Sequence, residues 1–308
     1  MDLSVEIAGI RLKNPVFAAS GTFGYGVEFA HLVDLNSLGG LVVKGLSREP
    51  LAGNPAPRIV ETASGMLNAI GLQNIGAAAF VREKLPELRG YRTAVFANVF
   101  GQATEDYVAV VEMLEEGKGL AGYELNVSCP NTKRGGISFG ADPSLTYEVT
   151  AAVKRVATRP VMVKLSPNVT DITAFARAAS DAGADAISLV NTFVGLAIDL
   201  EKKQPMLPNV TGGLSGPAIK PLALRLVHQA ARAVEIPVVG MGGIACGRDA
   251  LEFLVAGATA VQVGTATFWD PGAPGRIVRE MECYCREHGI DSVQKLIGTL
   301  RTDGETRG

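Results

Sequence analysis

No apolar run in this chain of 308 residues approaches the ~18 residues that a membrane-spanning helix requires, so no span is expected. A surplus of one charge is equally lacking. The net charge of −2 gives no electrostatic case for a nucleic-acid partner. The N-terminal MDLSVEIAGIRLKNP carries charges throughout and has no apolar core of a signal peptide, which makes a cytoplasmic location the expectation. Cysteine is sparse: Cys129, Cys246, Cys283 and Cys285 form no CxxC pair and no framework of a secreted protein. They give no support to an iron–sulfur or zinc site in this chain. Cys283 and Cys285, two apart on an expected helix, should point to different faces. His31, His228 and His288 are scattered without ligand spacing, so no metal is expected. A GxSxG elbow is missing, which leaves serine hydrolysis unsupported. No linker, charge block, low-complexity tract or short repeat divides the chain, which is therefore read as one domain over residues 1–308. Its tail, GTLRTDGETRG, is expected to fray.

What is present is 47% apolar and 19% charged, enough for a large core. After an expected hairpin over Ser4–Leu12, short β-branched runs alternate with Ala-rich amphipathic stretches. The runs are Pro15–Ala19, Gly40–Val43, Thr93–Ala97, Gly122–Val127, Val161–Leu165, Ala186–Val190, Pro237–Gly240 and Ala260–Val263. Apolar runs of this length between helical patterns indicate parallel strands buried on both faces. This many strand–helix units predict an α/β fold of the (β/α)8 TIM-barrel type, whose usual size is ~250 residues. A doubly wound open sheet is the alternative.

The run ends are polar or glycine: Ser20, Lys44, Asn98, Asn126, Lys164, Asn191, Gly242 and Gly264. In such barrels the C-terminal strand ends face one mouth, so these side chains predict a polar, cationic site for an anionic ligand. Ordinary contact with solvent explains any one of them. It explains Lys44 and Lys164 less well, because a lysine continuing a buried strand needs a partner or water. Gly242-Gly243 and Gly264-Thr265, after the last two runs, expose backbone amides where barrels bind phosphate. GMGGIA, Gly240 to Ala245, also fits a dinucleotide pattern, yet Ala258 to Gly264 further on has no acidic residue for a ribose. NAD binding by this chain itself is thus not expected.

Two connections are too long for plain turns: Ser128 to about Pro143, and Thr192 to about Pro217. Either could close over a ligand. ETASGMLNAIGLQN, Glu61 to Asn74, offers amides and close backbone approach at Asn68, Ile70-Gly71-Leu72 and Asn74, or is an ordinary Asn/Gly turn. The densest chemistry lies in ELNVSCPNTKRGG, Glu124 to Gly136, where the apolar run Tyr123 to Val127 ends and a thiol, Cys129, follows Asn126. A free cysteine is often merely a small buried residue, but Pro130 beside it argues for a loop.

These segments resemble the class 1 dihydroorotate dehydrogenases, flavin enzymes of pyrimidine synthesis. The resemblance runs from about Leu3 to Leu300 and rests on NPVFAASGTFGYG, GNPAPRIVETASGMLNAIGLQN, ELNVSCPNTKRGG, VKLSPNVTDI, TGGLSGPAIKP and GMGGI. It looks closest to the NAD-linked subtype, class 1B. That resemblance implies a catalytic subunit with one FMN per chain, a homodimer core within a heterotetramer, and a partner subunit carrying FAD and a [2Fe–2S] cluster. It implies FMN at Ser20, Lys44, Gly45, Asn98, Asn126, Lys164, Val190, Gly216, Gly242, Gly243, Gly264 and Thr265. Dihydroorotate is implied at Lys44, Asn68, Ala69, Ile70, Gly71, Leu72, Asn126, Asn191 and Thr192, and Cys129 matches the general base. Class 2 enzymes, with a serine base and an N-terminal extension, fit less well. The rivals are the fumarate-reducing homodimer (class 1A), another flavin barrel such as a dihydropyrimidine dehydrogenase domain or a tRNA dihydrouridine synthase, and a flavin-binding barrel serving only as a scaffold.

Overall fold

The computed structural model describes residues 1–127, 133–134, 137–138 and 140–302, the two short middle pieces by their backbone alone. Parallel strands Val16–Ala18, Gly40–Val42, Ala94–Val99, Gly122–Asn126, Val161–Lys164, Ala186–Leu189, Val238–Met241 and Ala260–Val263 close into a barrel in chain order, the last pairing with the first. The expected barrel is therefore the observed one, and the open doubly wound sheet is excluded. Every strand is buried on both faces almost throughout, because the barrel interior takes one face and the surrounding helices take the other. The third strand runs two residues further than its apolar pattern suggests: Asn98 and Val99 pair with Glu124 and Leu125 of the fourth.

The helices dock by a repeating apolar stripe. In Ala273–Glu287, Ile277, Met281 and Cys285 are spaced by four and fully buried. Cys283 of the same helix is exposed, as its offset of two dictates. Helix Ile172–Asp181 starts where the Asp171 carboxylate accepts from the Thr173 amide, 2.9 Å away, and buries Phe175, Ala176 and Ala179. The N-terminal hairpin forms as expected, Val5–Ile7 against Ile10–Leu12, and Val5, Ile7 and Leu12 join the main core. No helix among the described residues is long and apolar enough to cross a membrane.

Two connections at the C-terminal mouth carry the departure from expectation. The stretch from Thr192 to Pro217 is not a plain loop. It supplies strands Phe193–Leu196 and Thr211–Ser215, plus a short pairing of Ile198–Asp199 with Gln204–Pro205. Together with Ile59–Thr62 and Gly65–Asn68 from the second connection, the two longer strands form a four-stranded antiparallel sheet. Glycines 195, 212 and 213 hide its strands from propensity, since glycine is depleted in sheets. A second small apolar cluster of Val60, Leu67 and Leu207 anchors this roof.

Candidate active site

Between barrel mouth and roof lies a cavity of about 760 Å³, within the range of enclosed small-molecule sites. Ser20, Lys44, Gly45, Asn98, Asn126, Lys164, Val190, Gly216, Gly242, Gly243, Gly264 and Thr265 all line it. So do Asn68, Ala69, Ile70, Gly71, Leu72, Asn191 and Thr192. Cys129, which follows Asn126 by three positions, lies outside the described residues.

The floor is cationic. Lys164 ends the fifth strand with only 6% of its surface exposed. Its Nζ stands 3.7 Å from Glu124 Oε1, close enough for Coulomb attraction but beyond hydrogen-bond range. Lys44, two residues past the second strand, has no carboxylate partner among the described residues. Burial, then the charge of Lys164, then that of Arg58, hold its ammonium below the usual lysine range. A cation taken out of water with its donors unused is costly alone, and the convergence of buried Lys164 and half-buried Lys44 on one cavity fits an anionic ligand.

One wall is bare backbone. Gly243, at φ +78°, backs onto Lys220 N and Gly216 O, 2.8 and 2.9 Å from where a Cβ would stand. Gly216, at φ +98°, presses against Gly65, whose Cα lies 2.6 Å from its own Cβ position. Side chains would strain both turns and close the wall. Thr265 opens a single 3-10 turn, Thr265–Phe268, and donates from Oγ1 to Ser215 Oγ at 2.8 Å, tying barrel to roof. A Cβ on Gly264 would make only ordinary contacts, the nearest Ala19 Cβ at 3.6 Å, so this position is less crowded than Gly243 or Gly216.

The opposite wall is a set of amides. Asn68 Nδ2 donates to Gly213 O at 3.2 Å across the roof. Asn191 Nδ2 reaches Asn126 Oδ1 at 3.4 Å, and Asn191 Oδ1 accepts from the Thr192 amide at 2.8 Å. Asn54 Nδ2 holds the Ala69 carbonyl at 2.9 Å, fixing the Ala69–Leu72 stretch over the cavity. Asn74, set back from it, accepts from the Gly76 amide at 2.8 Å and is structural.

The dihydroorotate dehydrogenase family pattern matches residues 2–284. The chain belongs to the dihydroorotate dehydrogenase family. A relative from Solibacter usitatus named "Putative dihydroorotate dehydrogenase A (fumarate)" is 65% identical over 97% of this chain and 98% of its own length. "Dihydroorotate dehydrogenase B (NAD(+)), catalytic subunit" of Geobacter sulfurreducens is 60% identical, and its namesake from Geobacter sp. strain M21 is 59% identical, each over 97% of this chain and 98% of its own. The crystal structure of DHODH in complex with ferulenol from Eimeria tenella superposes with a TM-score of 0.83 at 23% identity, covering 97% of this chain and 88% of that one; it shows the shared fold.

Enzymes of this family are flavin-dependent oxidoreductases, and the cavity suits an FMN. Buried Lys164 and half-buried Lys44, neither with a hydrogen-bond acceptor among the described residues, a glycine wall and a buried acceptor, Gln262 Oε1, without a partner among those residues are complementary to such a group. Three residues escape a reading of the run ends. Glu124 is fully buried within the run Tyr123 to Val127, where a carboxylate is itself the signal. Gln262 and Ser188 are hidden the same way inside the eighth and sixth strands.

Proposed function

We propose that this chain is the catalytic subunit of an NAD-linked dihydroorotate dehydrogenase, oxidising dihydroorotate to orotate in de novo pyrimidine synthesis in the cytoplasm. It would hold one FMN and pass electrons to a second chain bearing FAD and a [2Fe–2S] cluster, which reduces NAD. The observation that carries this reading is a pair of lysines, Lys164 buried and Lys44 half-buried, that have no hydrogen-bond acceptor among the described residues and face an amide-lined cavity. Its names come from the relatives, of which those from Geobacter carry the NAD-linked title. A homodimer core within a heterotetramer is part of the same proposal.

Oxidation removes a proton from C5 of the substrate and a hydride from C6, leaving a double bond. FMN, when bound, supplies the hydride acceptor. The protein's part is placement and charge. Gly242, Gly243, Gly264 and Thr265 would hold a phosphate, while Ser20, Gly45, Asn98, Val190 and Gly216 enclose the rest. Lys164 would offset negative charge developing on the ring. Lys44 would face the substrate carboxylate. Asn68, Asn126, Asn191 and Thr192, with the Ala69–Leu72 backbone, would bond the ring amides. Such buried groups discriminate against analogues that leave them unpaired. Cys129 is assigned the C5 proton, as a thiol whose free pKa near 8.5 suits a base at mildly alkaline pH.

The 65% identity to the fumarate-named relative favours one second reading, a self-sufficient fumarate-dependent homodimer. Anaerobic mixing with dihydroorotate tests the shared part: the yellow chain should bleach, and a chain that stays yellow refutes the activity. Acceptors then separate the readings. Fast turnover with fumarate alone favours the homodimer. NADH formation that needs a co-purified flavin–iron–sulfur chain favours the NAD-linked subunit.

A further inference from the structure

Glu124 sits at the centre of a closed polar network beneath the cavity. Its Oε1 accepts from Asn98 Nδ2 at 2.7 Å, and its Oε2 accepts from Ser188 Oγ at 2.9 Å and Gln262 Nε2 at 2.6 Å. Lys164 lies 3.7 Å from Oε1. All these residues point into the barrel, since Glu124 shares its face with Asn126, and Gln262 shares its face with Gly264. A carboxylate has only acceptor oxygens, so it dictates how each amide turns. Asn98 and Gln262 must give it their NH2 groups and keep their carbonyl oxygens for something else. For Gln262 that oxygen is buried, in a residue 1% exposed that lines the cavity, and it has no partner among the described residues. A buried acceptor left unpaired is costly. A ligand N–H would relieve it. The oxidised flavin ring carries a single N–H, on the imide nitrogen of its pyrimidine edge.

We propose that Gln262 binds the flavin by accepting its ring imide N–H through Oε1, and that Glu124 is the positioning residue that presets this amide. The inference rests on the FMN reading above and adds to it a contact and the group that orients it. Dihydroorotate also contains an imide N–H, but its expected amide partners, Asn68, Asn126 and Asn191, lie at the strand ends and roof. Gln262 lies two residues deeper, beside the Lys164–Glu124 pair.

The probe is FMN methylated at the imide nitrogen, which lacks only that donor. Titrated into flavin-stripped wild-type chain, it should bind about tenfold or more weakly than FMN, the scale of one buried hydrogen bond. In Gln262→Leu, FMN itself should weaken towards the methylated value, so that the ratio falls close to one, while orotate affinity of the flavin-loaded protein is unchanged. In Glu124→Gln the amide is no longer forced to face inward. The ratio should fall there too, and the visible absorption band of bound FMN should move, which a carboxylate serving only as packing would not cause. If Glu124→Gln fails to fold, Gln262→Leu still decides the contact. Equal affinities in the wild type would overturn the proposal and leave Oε1 to a buried water. A ratio that survives Gln262→Leu would overturn it as well, because it would come from the methyl group's bulk. A change in orotate affinity with FMN affinity intact would move the contact to the substrate and overturn it. Failure of the wild type to bind either flavin would instead sink the FMN reading itself.

Discussion

Asn191 reaches Asn126 at 3.4 Å, joining the ends of the sixth and fourth strands across the fifth, which ends in Lys164. Lysine and amides thus converge from neighbouring strands on one rigid rim. Functional groups held by strand ends keep their geometry better than groups on a free loop.

Replacing Asn191 by Ala should therefore spare the flavin and hurt the substrate. Flavin content is expected to stay normal, while KM for dihydroorotate rises by about tenfold or more, the cost of one unmade buried hydrogen bond. Steady-state kinetics with a flavin assay check this. Loss of flavin with unchanged KM would contradict the assignment.

Lys164→Ala should weaken FMN binding and slow flavin reduction by ~10²-fold, the usual size of a lost electrostatic stabiliser. Stopped-flow reduction under anaerobic conditions measures it. A variant with normal flavin and a normal rate would remove Lys164 from the mechanism.

Lys44 gives a pH signature. Its folded-state pKa is lowered by burial first and by Lys164 next, so in the window between that value and 10.5 the unfolded chain binds more protons. Stability of the flavin-free, substrate-free protein should rise with pH through this window. Affinity for the orotate anion should fall over the same range as the cation is lost. Lys44→Met should flatten both trends, as denaturation and ligand titrations at several pH values would reveal. An unchanged slope in that variant would exclude Lys44 as their source.

Cys129→Ala should still bind FMN and orotate, yet flavin reduction by dihydroorotate should drop by ~10²-fold or more. The wild-type rate should climb with pH and level off above the thiol's pKa, a limb the variant should lack. Cys129→Ser should remain slow near neutrality, since an unassisted hydroxyl is the poorer base. A wild-type bleaching rate in Cys129→Ala would return this thiol to a packing role.

Gly243→Ala puts a methyl group 2.8 Å from Lys220 N at a φ of +78°. It should cost about 1–3 kcal/mol of stability from backbone strain and reduce FMN retention on a desalting column. Retention and melting temperature equal to the wild type would show that the phosphate wall tolerates a side chain.

Sequence pattern reveals the barrel well because each strand is an apolar run closed by a polar residue or a glycine, and that contrast survives without any structure. Lys44, Lys164, Asn98, Asn126 and Asn191 are legible for the same reason. Glu124, Ser188 and Gln262 are not, because each is a single polar residue inside an apolar run whose surroundings read as core. Only the partners supplied by distant strands explain their burial: Glu124 meets Gln262 from 138 positions away. The roof strands are illegible for a different reason, since Gly195, Gly212 and Gly213 replace the β-branched residues that announce a strand. Cys129 is prominent in the sequence but outside the described residues.

The roof has a consequence for how the polypeptide acquires its site. Its central pairing joins Asn68 to Gly213, 145 positions apart. A ribosome must therefore have delivered more than two-thirds of the chain before the chamber can close. Contacts this remote are entropically slow to form, so the chamber should be completed late. A ligand that binds only the closed form then withdraws molecules from the open ones by mass action. Supply of the cofactor during synthesis should accordingly govern how much of this protein a cell accumulates.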